Sequence, residues 1–289
     1  MENLSIVIPV YNEEKAISDT VALFRDMLNK YPGIEVIFVD DGSTDRTRQI
    51  LKDGLDARMK LVVNDKNKGY GAAIKKGVQL ASHDHIAITD ADGSYPNERI
   101  IEFFQKLVAE RAAMVVGART GKMVKIGILR KLPKLILTKL AEYLSESEIP
   151  DLNSGLRVIS KELIQKSSKY LPQGFSFTTT ITLFLLSNNH KILYIPIDYY
   201  KRVGKSKIKP LRDTMNFIQL IIRTVMFFNP LKVFLPLSLF FVLMALAVLI
   251  VSYLMGRVMD VTTILLFVTG LQLLALGLLA DLIDKRLSK

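Results

Sequence analysis

Short apolar runs alternate with amphipathic stretches over the first 200 residues of the chain. The apolar runs have the length of strands that are buried on both faces, and they lie at residues 4–10, 34–39, 60–63, 86–88, 113–118 and 192–200. The stretches between most of them carry apolar residues at helical spacing and predict helices at residues 13–30, 46–55, 72–81 and 97–110. This alternation predicts an α/β fold with a doubly wound, Rossmann-like, mostly parallel sheet that is covered on both faces.

Two much longer apolar runs follow near the C-terminus. Val233–Met255 contains 23 residues without a charge, and Val261–Ala280 contains another 20. Each can span a hydrocarbon core of about 30 Å as a helix, and the short loop between them requires an antiparallel hairpin. Because Lys and Arg precede and follow the hairpin, the positive-inside rule places the N-terminal part and both termini in the cytoplasm. A buried hairpin of a soluble protein is the alternative, which such long uncharged runs disfavour.

The net charge of +11 is concentrated in two segments. Residues 119–139 contain seven Lys or Arg and no acidic residue, and residues 201–212 contain six basic residues and no acidic one. Basic amphipathic helices tend to lie in a membrane interface, so we predict a basic interfacial segment at residues 119–145 and an amphipathic helix at residues 210–230. An ordinary surface helix is the alternative. Since the basic runs flank membrane-seeking segments and not aromatic stacking platforms, no nucleic-acid partner is expected.

Two carboxylates follow the fourth apolar run, Asp90 and Asp92, before the breakers Gly93 and Pro96. Residues two apart in an extended backbone point the same way, so both carboxylates can face one point beyond the sheet edge. Such a pair repels unless a cation lies between its members, and hard oxygen ligands suit Mg²⁺ or Mn²⁺. A polar turn with a capping Asp is the alternative interpretation.

Further polar clusters follow the first two strands, at Pro9–Glu13 and at Asp40 and Asp41, and a loop at Lys68–Gly71 precedes a helix. In a doubly wound sheet these clusters converge on one edge with Asp90 and Asp92. With a divalent cation, this anionic cleft suits a nucleotide diphosphate. A dinucleotide fold is disfavoured, because the G-x-G-x-x-G fingerprint has Ile in its third glycine position here and follows the wrong strand.

Four stretches, residues 6–13, 39–45, 67–77 and 90–96, together resemble family 2 glycosyltransferases with the GT-A fold. Residues 151–157, residues 200–207 and the C-terminal hairpin are similar to those of polyprenyl-phosphate glycosyltransferases, such as dolichyl-phosphate mannose and glucose synthases. The resemblance covers nearly the whole chain. It implies a nucleotide-diphosphate sugar donor of the GDP-mannose or UDP-glucose type, and a polyprenyl or dolichyl phosphate acceptor at the cytoplasmic face of a lipid bilayer.

The resemblance also implies roles for individual residues. The nucleotide pocket is expected to include Pro9, Tyr11, Glu13 and Asp41, the last contacting the base, together with Asp40, Lys68, Gly69 and Asp90. Asp90 and Asp92 serve the metal, and Arg119, Arg130 and Arg202 hold phosphates. Ser154, Lys205 and Ser206 are further candidates for substrate binding, and Asp92, Asp151, Arg119 and Arg202 are the candidate catalytic residues. Ser94 stands where mannose synthases of this group typically carry a Gln metal ligand, so the third protein ligand and the donor stay open.

The chemistry of the acceptor supports this interpretation. A phosphate monoester is already an anion at pH 7, since its second pKa is about 6, so no strong base is required and Asp151 is expected to orient the acceptor or the arginines. Direct displacement at the anomeric carbon inverts its configuration and gives a β-linked product. A glycosyltransferase for hydroxyl acceptors and a non-catalytic nucleotide-binding membrane scaffold are the alternatives. A processive polysaccharide synthase is disfavoured, because its Q-x-x-R-W motif needs Trp and the chain has none.

These patterns divide the chain into three parts. Residues 1–209 are expected to form the cytoplasmic catalytic domain, residues 210–230 a juxtamembrane helix, and residues 231–289 a transmembrane hairpin with a short cytoplasmic tail. The oligomeric state stays open, with a homo-oligomer as one option. Cysteine is absent, which excludes a disulfide framework and a thiolate metal site.

Overall fold

A computed structural model of the chain describes residues 3–121, 128–174, 176–200, 222, 230–256 and 260–287. The strands are β1 (Leu4–Val10), β2 (Ile34–Asp40), β3 (Met59–Val63), β4 (His85–Ile88), β5 (Met114–Ala118), β6 (Arg157–Ser160) and β7 (Ile192–Pro196). The helices are α1 (Ile17–Lys30), α2 (Thr47–Gly54), α3 (Tyr70–Leu80), α4 (Ile100–Ala109), α5 (Ile128–Ser145), α6 (Lys161–Ser167), α7 (Phe177–Ser187), α8 (Leu231–Leu254) and α9 (Asp260–Leu287). The chain divides into two compact units, residues 1–142 with 147–220 and residues 143–146 with 221–289.

The strands form one sheet in the order β3-β2-β1-β4-β6-β5-β7. Neighbouring strands are parallel except at β6, which pairs antiparallel with both β4 and β5. This confirms the predicted mostly parallel α/β sheet. Because β1, β2 and β4 run in the same direction, their carboxyl ends lie at one edge of the sheet, where open α/β sheets bind ligands.

The two faces of the sheet are buried under two separate apolar clusters. Ile6 and Ile8 of β1 pack in one cluster with Phe24 of α1, and Val7, between them in sequence, packs in the other cluster with Ile74 of α3 and Phe177 of α7. Successive residues of a strand point to opposite faces, so a strand covered on both sides is apolar at most of its positions. This explains the continuous apolar runs that predicted the strands.

The sequence pattern misses β6, α6 and α7 and places the end of β7 too late. β6 has four residues and begins with an arginine, so it gives no apolar run. α7 is buried around nearly its whole circumference and therefore shows no amphipathic period. β7 ends at Pro196 and not at residue 200, because its partner strand β5 ends at Ala118, the residue that pairs with Pro196. The helix predicted in the basic segment 119–145 is present as α5, whereas the helix predicted at residues 210–230 lies outside the described residues but for Ile222 and Pro230.

The second unit contains the apolar hairpin. Ser238 Oγ of α8 donates a hydrogen bond of 2.8 Å to the Gly270 carbonyl of α9, and a Cβ added to Gly277 would lie 2.6 Å from Phe234 Cβ. The helices are therefore antiparallel and meet where α9 has glycines. Both are long and apolar enough to cross a membrane, and many of their Leu and Ile side chains are exposed. The predicted boundaries near residues 209 and 230 stay predictions.

A buried glutamate joins the first three strands at the edge opposite the polar clusters. Glu35 of β2 accepts hydrogen bonds from Ser5 Oγ at 2.6 Å and from the Ser82 N–H at 2.5 Å, and it forms an ion pair of 2.7 Å with Lys60 of β3. Burial alone would raise the pKa of Glu35, but these hydrogen bonds and the Lys60 ammonium lower it to about 2. The charged carboxylate therefore stabilises the fold.

We expect Glu35→Gln to lower the free energy of unfolding at pH 7 by about 3 kcal/mol, the value that corresponds to the pKa shift. The pKa is lower in the folded state than in the unfolded chain, so the stabilisation is complete above pH 4.5 and is lost as pH falls towards 2. Urea unfolding of the wild type and the variant, as full chains in detergent at several pH values, measures this difference in the free energy of unfolding. Glu102→Gln, in the exposed pair with Arg99, is the control and should cost under about 1 kcal/mol. Equal effects of the two variants would contradict the expectation.

Candidate active site

The turns that follow β1 and β2 are joined by hydrogen bonds from backbone to side chain. The N–H of Asn12 donates to Ser43 Oγ at 2.9 Å, and the N–H of Glu13 donates to Thr47 Oγ1 at 2.8 Å. Of the predicted pocket residues in this turn, Pro9 and Tyr11 are half-buried and Glu13 is buried. The two strand ends are therefore fixed relative to each other, and they present Pro9 and Tyr11 at the edge of the sheet.

Asp40, the last residue of β2, is fully buried. Its Oδ1 accepts a hydrogen bond of 2.9 Å from the Ser43 N–H, and its Oδ2 forms an ion pair of 2.7 Å with Arg48 Nε. These contacts explain why an ionised carboxylate can lie here, since a buried charge needs a partner and hydrogen bonds. Asp40 therefore shapes the turn between β2 and α2, and its contact with a substrate stays a prediction.

The neighbouring Asp41 holds the loop that leads into α3. Its Oδ1 accepts hydrogen bonds from Asn64 Nδ2 at 2.8 Å and from the Lys68 N–H at 3.0 Å, and its Oδ2 accepts one from the Gly69 N–H at 2.8 Å. Gly69 has a φ of 102°, which a residue with a side chain rarely adopts. The structure thus joins Asp41 to Lys68 and Gly69, all three of which were predicted to line the nucleotide pocket.

Backbone carbonyls close the N-terminus of α3. The N–H of Ala72 donates to the Gln173 carbonyl at 2.9 Å, and the N–H of Gly71 donates to the Gly174 carbonyl at 3.3 Å. In dinucleotide-binding folds the free N–H groups of such a helix end bind the pyrophosphate. Here the N–H groups of Gly71 and Ala72 already bond to carbonyls and are not available to a pyrophosphate. This agrees with the incomplete glycine fingerprint, which disfavoured a dinucleotide fold.

Asp90 and Asp92 lie in the turn after β4, which ends at Ile88. Asp92 is buried, and its Oδ1 accepts hydrogen bonds from the Ser94 N–H at 3.0 Å and from Ser94 Oγ at 2.5 Å. Ser94 thus orients the carboxylate that it follows in the sequence. The two aspartates belong to a turn and not to an extended strand. The argument from an extended backbone that placed both carboxylates on one face therefore does not apply, and their common metal site stays a prediction.

Two residues from other parts of the chain contact Asp90. Tyr70 of α3 donates its hydroxyl to Asp90 Oδ1 at 3.0 Å. Burial and the Asp90 charge raise the pKa of Tyr70 well above its usual value, so the phenol stays protonated and remains a donor. Gly155 lies so close that a Cβ added there would lie 2.9 Å from Asp90 Oδ2. The segment around Gly155 therefore packs directly on the candidate metal ligand.

Arg119 and Asp151 form a two-point ion pair on the other side of the site. Arg119 Nε donates to Asp151 Oδ2 at 2.6 Å and Nη2 donates to Oδ1 at 2.9 Å, while Nη2 also donates to Asn153 Oδ1 at 2.8 Å. The guanidinium lies over the Tyr199 ring, 5.2 Å from its centroid. Burial alone would lower the pKa of Arg119, but the Asp151 carboxylate, together with Tyr95 and Tyr199, outweighs it and raises the pKa. Arg119 therefore stays charged and has a fixed orientation.

Nη1 of Arg119 makes no hydrogen bond within the part of the chain that the structure describes. A guanidinium nitrogen of this kind carries two N–H donors. Arg119 is therefore oriented by Nε and Nη2, and Nη1 keeps donors for a ligand oxygen.

Of the remaining predicted site residues, the structure describes the side chain of Ser154 only. Ser154 is fully buried, and its hydroxyl has no hydrogen-bond partner among the described residues. Arg130 belongs to α5, but its side chain lies outside the described residues. Arg202, Lys205 and Ser206 also lie outside them.

Sequence reasoning missed several neutral residues of the site. Tyr70, Gly155 and Asn153 lie inside stretches that carried the resemblance, and Tyr95 does too, accepting a hydrogen bond of 2.7 Å from the Gly155 N–H. Neither a charge nor the resemblance assigned a role to these four residues. Their position within the stretches was the available signal.

At this edge Glu13 follows β1, aspartates lie at the end of β2 and after β4, and Arg119, paired with Asp151, follows β5. No group of three or more His, Cys, Asp or Glu residues in the described ranges could hold a metal ion. A cation at Asp90 and Asp92 would therefore need further ligands from water or from a bound phosphate, as Mg²⁺ commonly has. The arrangement suits a ligand with a diphosphate.

Solved structures identify the fold. Glucosyl-3-phosphoglycerate synthase from Mycobacterium tuberculosis in complex with Mn²⁺ and UDP-glucose matches with a TM-score of 0.59 at 18% identity, over 78% of this chain and 79% of that one. Mannosyl-3-phosphoglycerate synthase from Rubrobacter xylanophilus matches with a TM-score of 0.58 at 16% identity, over 77% of this chain and 72% of that one. The expected GT-A fold is thereby confirmed.

The family follows from the sequence. The model of glycosyl transferase family 2 matches residues 5–167, more than half of the chain, which therefore belongs to this family of glycosyltransferases. The model of the GtrB C-terminal hairpin matches residues 229–285. These two matches confirm the resemblance and the hairpin.

Two curated relatives match most of the chain. A dolichyl-phosphate hexose transferase of Haloferax volcanii is 28% identical over 210 residues, which are 72% of this chain and 88% of the relative. A UDP-N-acetylglucosamine–dolichyl-phosphate N-acetylglucosaminyltransferase of Methanococcus voltae is 30% identical over 206 residues, which are 64% of this chain and 80% of the relative.

We expect Tyr70→Phe to lower kcat/KM for the sugar donor about tenfold, because it removes one hydrogen bond to a charged group and leaves Asp90 less well oriented. Steady-state kinetics with the donor varied measures this. Tyr194→Phe is the matched control, since it removes a buried tyrosine hydroxyl that has no hydrogen-bond partner among the described residues. Unchanged donor kinetics in Tyr70→Phe, or an equal loss in the control, would remove Tyr70 from the site.

Proposed function

We propose that this glycosyltransferase moves a hexose from a nucleotide-diphosphate sugar to a polyprenyl phosphate at a membrane surface. The observation that carries the proposal is the combination, in one chain, of the family 2 site with a hairpin long enough to cross a membrane. A water-soluble acceptor gives no reason for such a hairpin, whereas a lipid acceptor does. The dolichyl-phosphate enzymes among the relatives support the same acceptor class.

The donor is assigned to the acidic side of the site. Pro9, Tyr11 and the loop held by Asp41 would contact the nucleoside, in keeping with their position at the ends of β1 and β2. Asp90 and Asp92 would hold Mg²⁺ or Mn²⁺, and the Mn²⁺ in the Mycobacterium synthase supports a divalent cation. Such a cation, when bound, neutralises the charge of the leaving nucleotide diphosphate.

The acceptor is assigned to the side of Arg119. A phosphate oxygen of the lipid attacks the anomeric carbon, the bond from that carbon to the diphosphate breaks, and the nucleotide diphosphate leaves. The attacking oxygen carries no proton to remove, because the phosphate is a dianion above a pKa of about 6. Arg119 would bind the phosphate through Nη1, and Arg130 and Arg202 are proposed to add to this binding. Attack on the face opposite the leaving group inverts the anomeric carbon and gives a β-linked product.

Asp151 is proposed to orient Arg119 and not to remove a proton. Both of its carboxylate oxygens accept hydrogen bonds from the Arg119 guanidinium, at 2.6 and 2.9 Å. Because both oxygens are already bonded to the guanidinium, removal of an acceptor proton by Asp151 would have to break this pair. This feature favours a phosphate acceptor over a hydroxyl acceptor, whose proton must be removed.

The proposed location is the cytoplasmic face of the membrane, with the first unit and both termini in the cytoplasm. The basic residues that flank the hairpin in the sequence support this orientation.

Arg119 argues against the alternative of a non-catalytic scaffold that only binds nucleotides, because its guanidinium is fixed and its Nη1 is available for a ligand.

The proposal is tested by incubating the full chain, in liposomes that contain a polyprenyl phosphate, with a panel of nucleotide sugars that includes GDP-mannose and UDP-glucose. We expect one donor to give a lipid-linked β-sugar and free nucleotide diphosphate. The reaction should stop in EDTA and resume with Mg²⁺ or Mn²⁺. Donor hydrolysis without a lipid product, or transfer to a polyprenol that lacks phosphate, would contradict the acceptor class.

A second test separates the two acceptor chemistries. We expect Asp151→Asn to lower kcat by a factor that stays constant between pH 7 and pH 9, because the acceptor phosphate is already a dianion there and Asp151 moves no proton. Steady-state rates of the variant and of the wild type at each pH measure this. A deficit that shrinks as pH rises would identify Asp151 as a general base and would point to a hydroxyl acceptor.

A further inference from the structure

Arg157, at the start of β6, is among the largest fully buried side chains of the chain, with 0% exposure. It pairs in the sheet with Ile88 of β4 and Val116 of β5. Within the described residues no carboxylate forms a direct ion pair with it. Burial lowers its pKa, and the neighbouring tyrosines and the Asp151 charge offset this only in part. A buried charge without a direct ion pair is costly, so a position between two apolar strands would ordinarily hold an apolar residue.

The guanidinium instead bonds to neutral acceptors from two separate elements. Nε and Nη2 donate to the Ser154 carbonyl, Nε at 3.2 Å, and Nη1 donates to the Thr178 carbonyl at 2.9 Å and to Thr182 Oγ1 at 3.1 Å. Thr178 and Thr182 belong to α7. Arg157 therefore fastens the turn that precedes β6 to a helix on one face of the sheet, which requires the wide, planar fork that only arginine has.

The turn held in this way, residues 151–156, contacts both sides of the site. Asp151, at its beginning, orients Arg119. Gly155, near its end, donates its N–H to Tyr95 and lies against the Asp90 carboxylate. A movement of this turn would therefore change the position of Arg119 relative to Asp90.

We infer that Arg157 is a positioning residue, which holds the turn 151–156 against α7 and thereby sets the place of the Asp151–Arg119 pair. This inference rests on the proposed function in one respect, that Arg119 binds the acceptor phosphate. The position of the pair itself can be measured without any substrate, so the two proposals can fail separately.

Replacing Arg157 itself leaves a large cavity and unpaired carbonyls, which can unfold the chain. The sharper change is Thr182→Val, which keeps the shape of the side chain and removes one acceptor of Arg157. Thr180→Val is the matched control, because Thr180 lies on the same helix, is fully buried, and has a hydroxyl without a partner in the described ranges. Thr182→Ser keeps the hydroxyl and should behave as the wild type.

The first measurement is hydrogen exchange at Arg119 Nε in ¹⁵N-arginine-labelled full chain in detergent, with the resonance assigned from Arg119→Lys. We expect exchange to be about tenfold faster in Thr182→Val, because the hydrogen bond to Asp151 opens more often when the turn is loosened. Exchange should be unchanged in Thr180→Val and Thr182→Ser. Equal rates in all variants, or an equal increase in Thr180→Val, would overturn the inference.

The second measurement is kinetic. Thr182→Val should raise KM for the polyprenyl phosphate about tenfold and leave KM for the donor unchanged, since the loosened residue acts through Arg119. A general loss of folded protein would lower kcat and leave both KM values unchanged, and that result would overturn the inference. If exchange changes as expected but the wild type transfers no sugar to polyprenyl phosphate, the position of the pair is established and the proposed function is wrong.

Discussion

The site depends on one constraint, that a carboxylate removed from water must be surrounded by hydrogen-bond donors or by a cation. Asp40, Asp41, Asp92 and Asp151 are all buried, and each is bonded to a different piece of loop. Asp40 fixes the turn after β2, Asp41 fixes the approach to α3, Asp92 is held by Ser94, and Asp151 holds Arg119. The cost of burying these charges is thus offset by contacts that give the loops one defined shape. Groups that keep their geometry before a ligand arrives need less reorganisation when it binds.

The geometry of the site depends, second, on the direction of β6. A purely parallel sheet would place the start of a strand at the edge opposite the ends of β1, β2 and β4. Because β6 runs antiparallel, its start lies at the same edge as those ends, and the turn 151–156 arrives beside Asp90. One reversed strand therefore brings Asp151, which holds Arg119, to the edge of the sheet where Asp90 and Asp92 lie.

Much of this arrangement could be predicted from the sequence, and the exceptions have physical causes. The apolar runs identified β1 and β2, because strands covered on both faces are apolar at most of their positions. Asp90, Asp92 and Arg119 were predicted from their charges and from the resemblance, and their roles stay proposals. β6 was missed because Arg157 replaces the apolar residue that its position would ordinarily have, and α7 was missed because a helix buried on all sides has no polar face. The hydrogen bond from Tyr70 to Asp90 links residues 20 positions apart, and periodicity carries no information about such a contact.

The segment that runs from Gln173 into α7 supports both halves of the site. Its first part accepts the hydrogen bonds of Ala72 and Gly71, at the loop that Asp41 also holds, and its helix accepts those of Arg157. For protein engineering, this makes Gln173, Gly174 and α7 a shared scaffold rather than a specificity element. Libraries that aim to change the accepted sugar would do better to vary the rims of the cleft and to leave this scaffold intact. Its first part supports the loop on the donor side and its helix supports the turn on the acceptor side, so substitutions of these hydrogen-bond acceptors would disturb one substrate or the other.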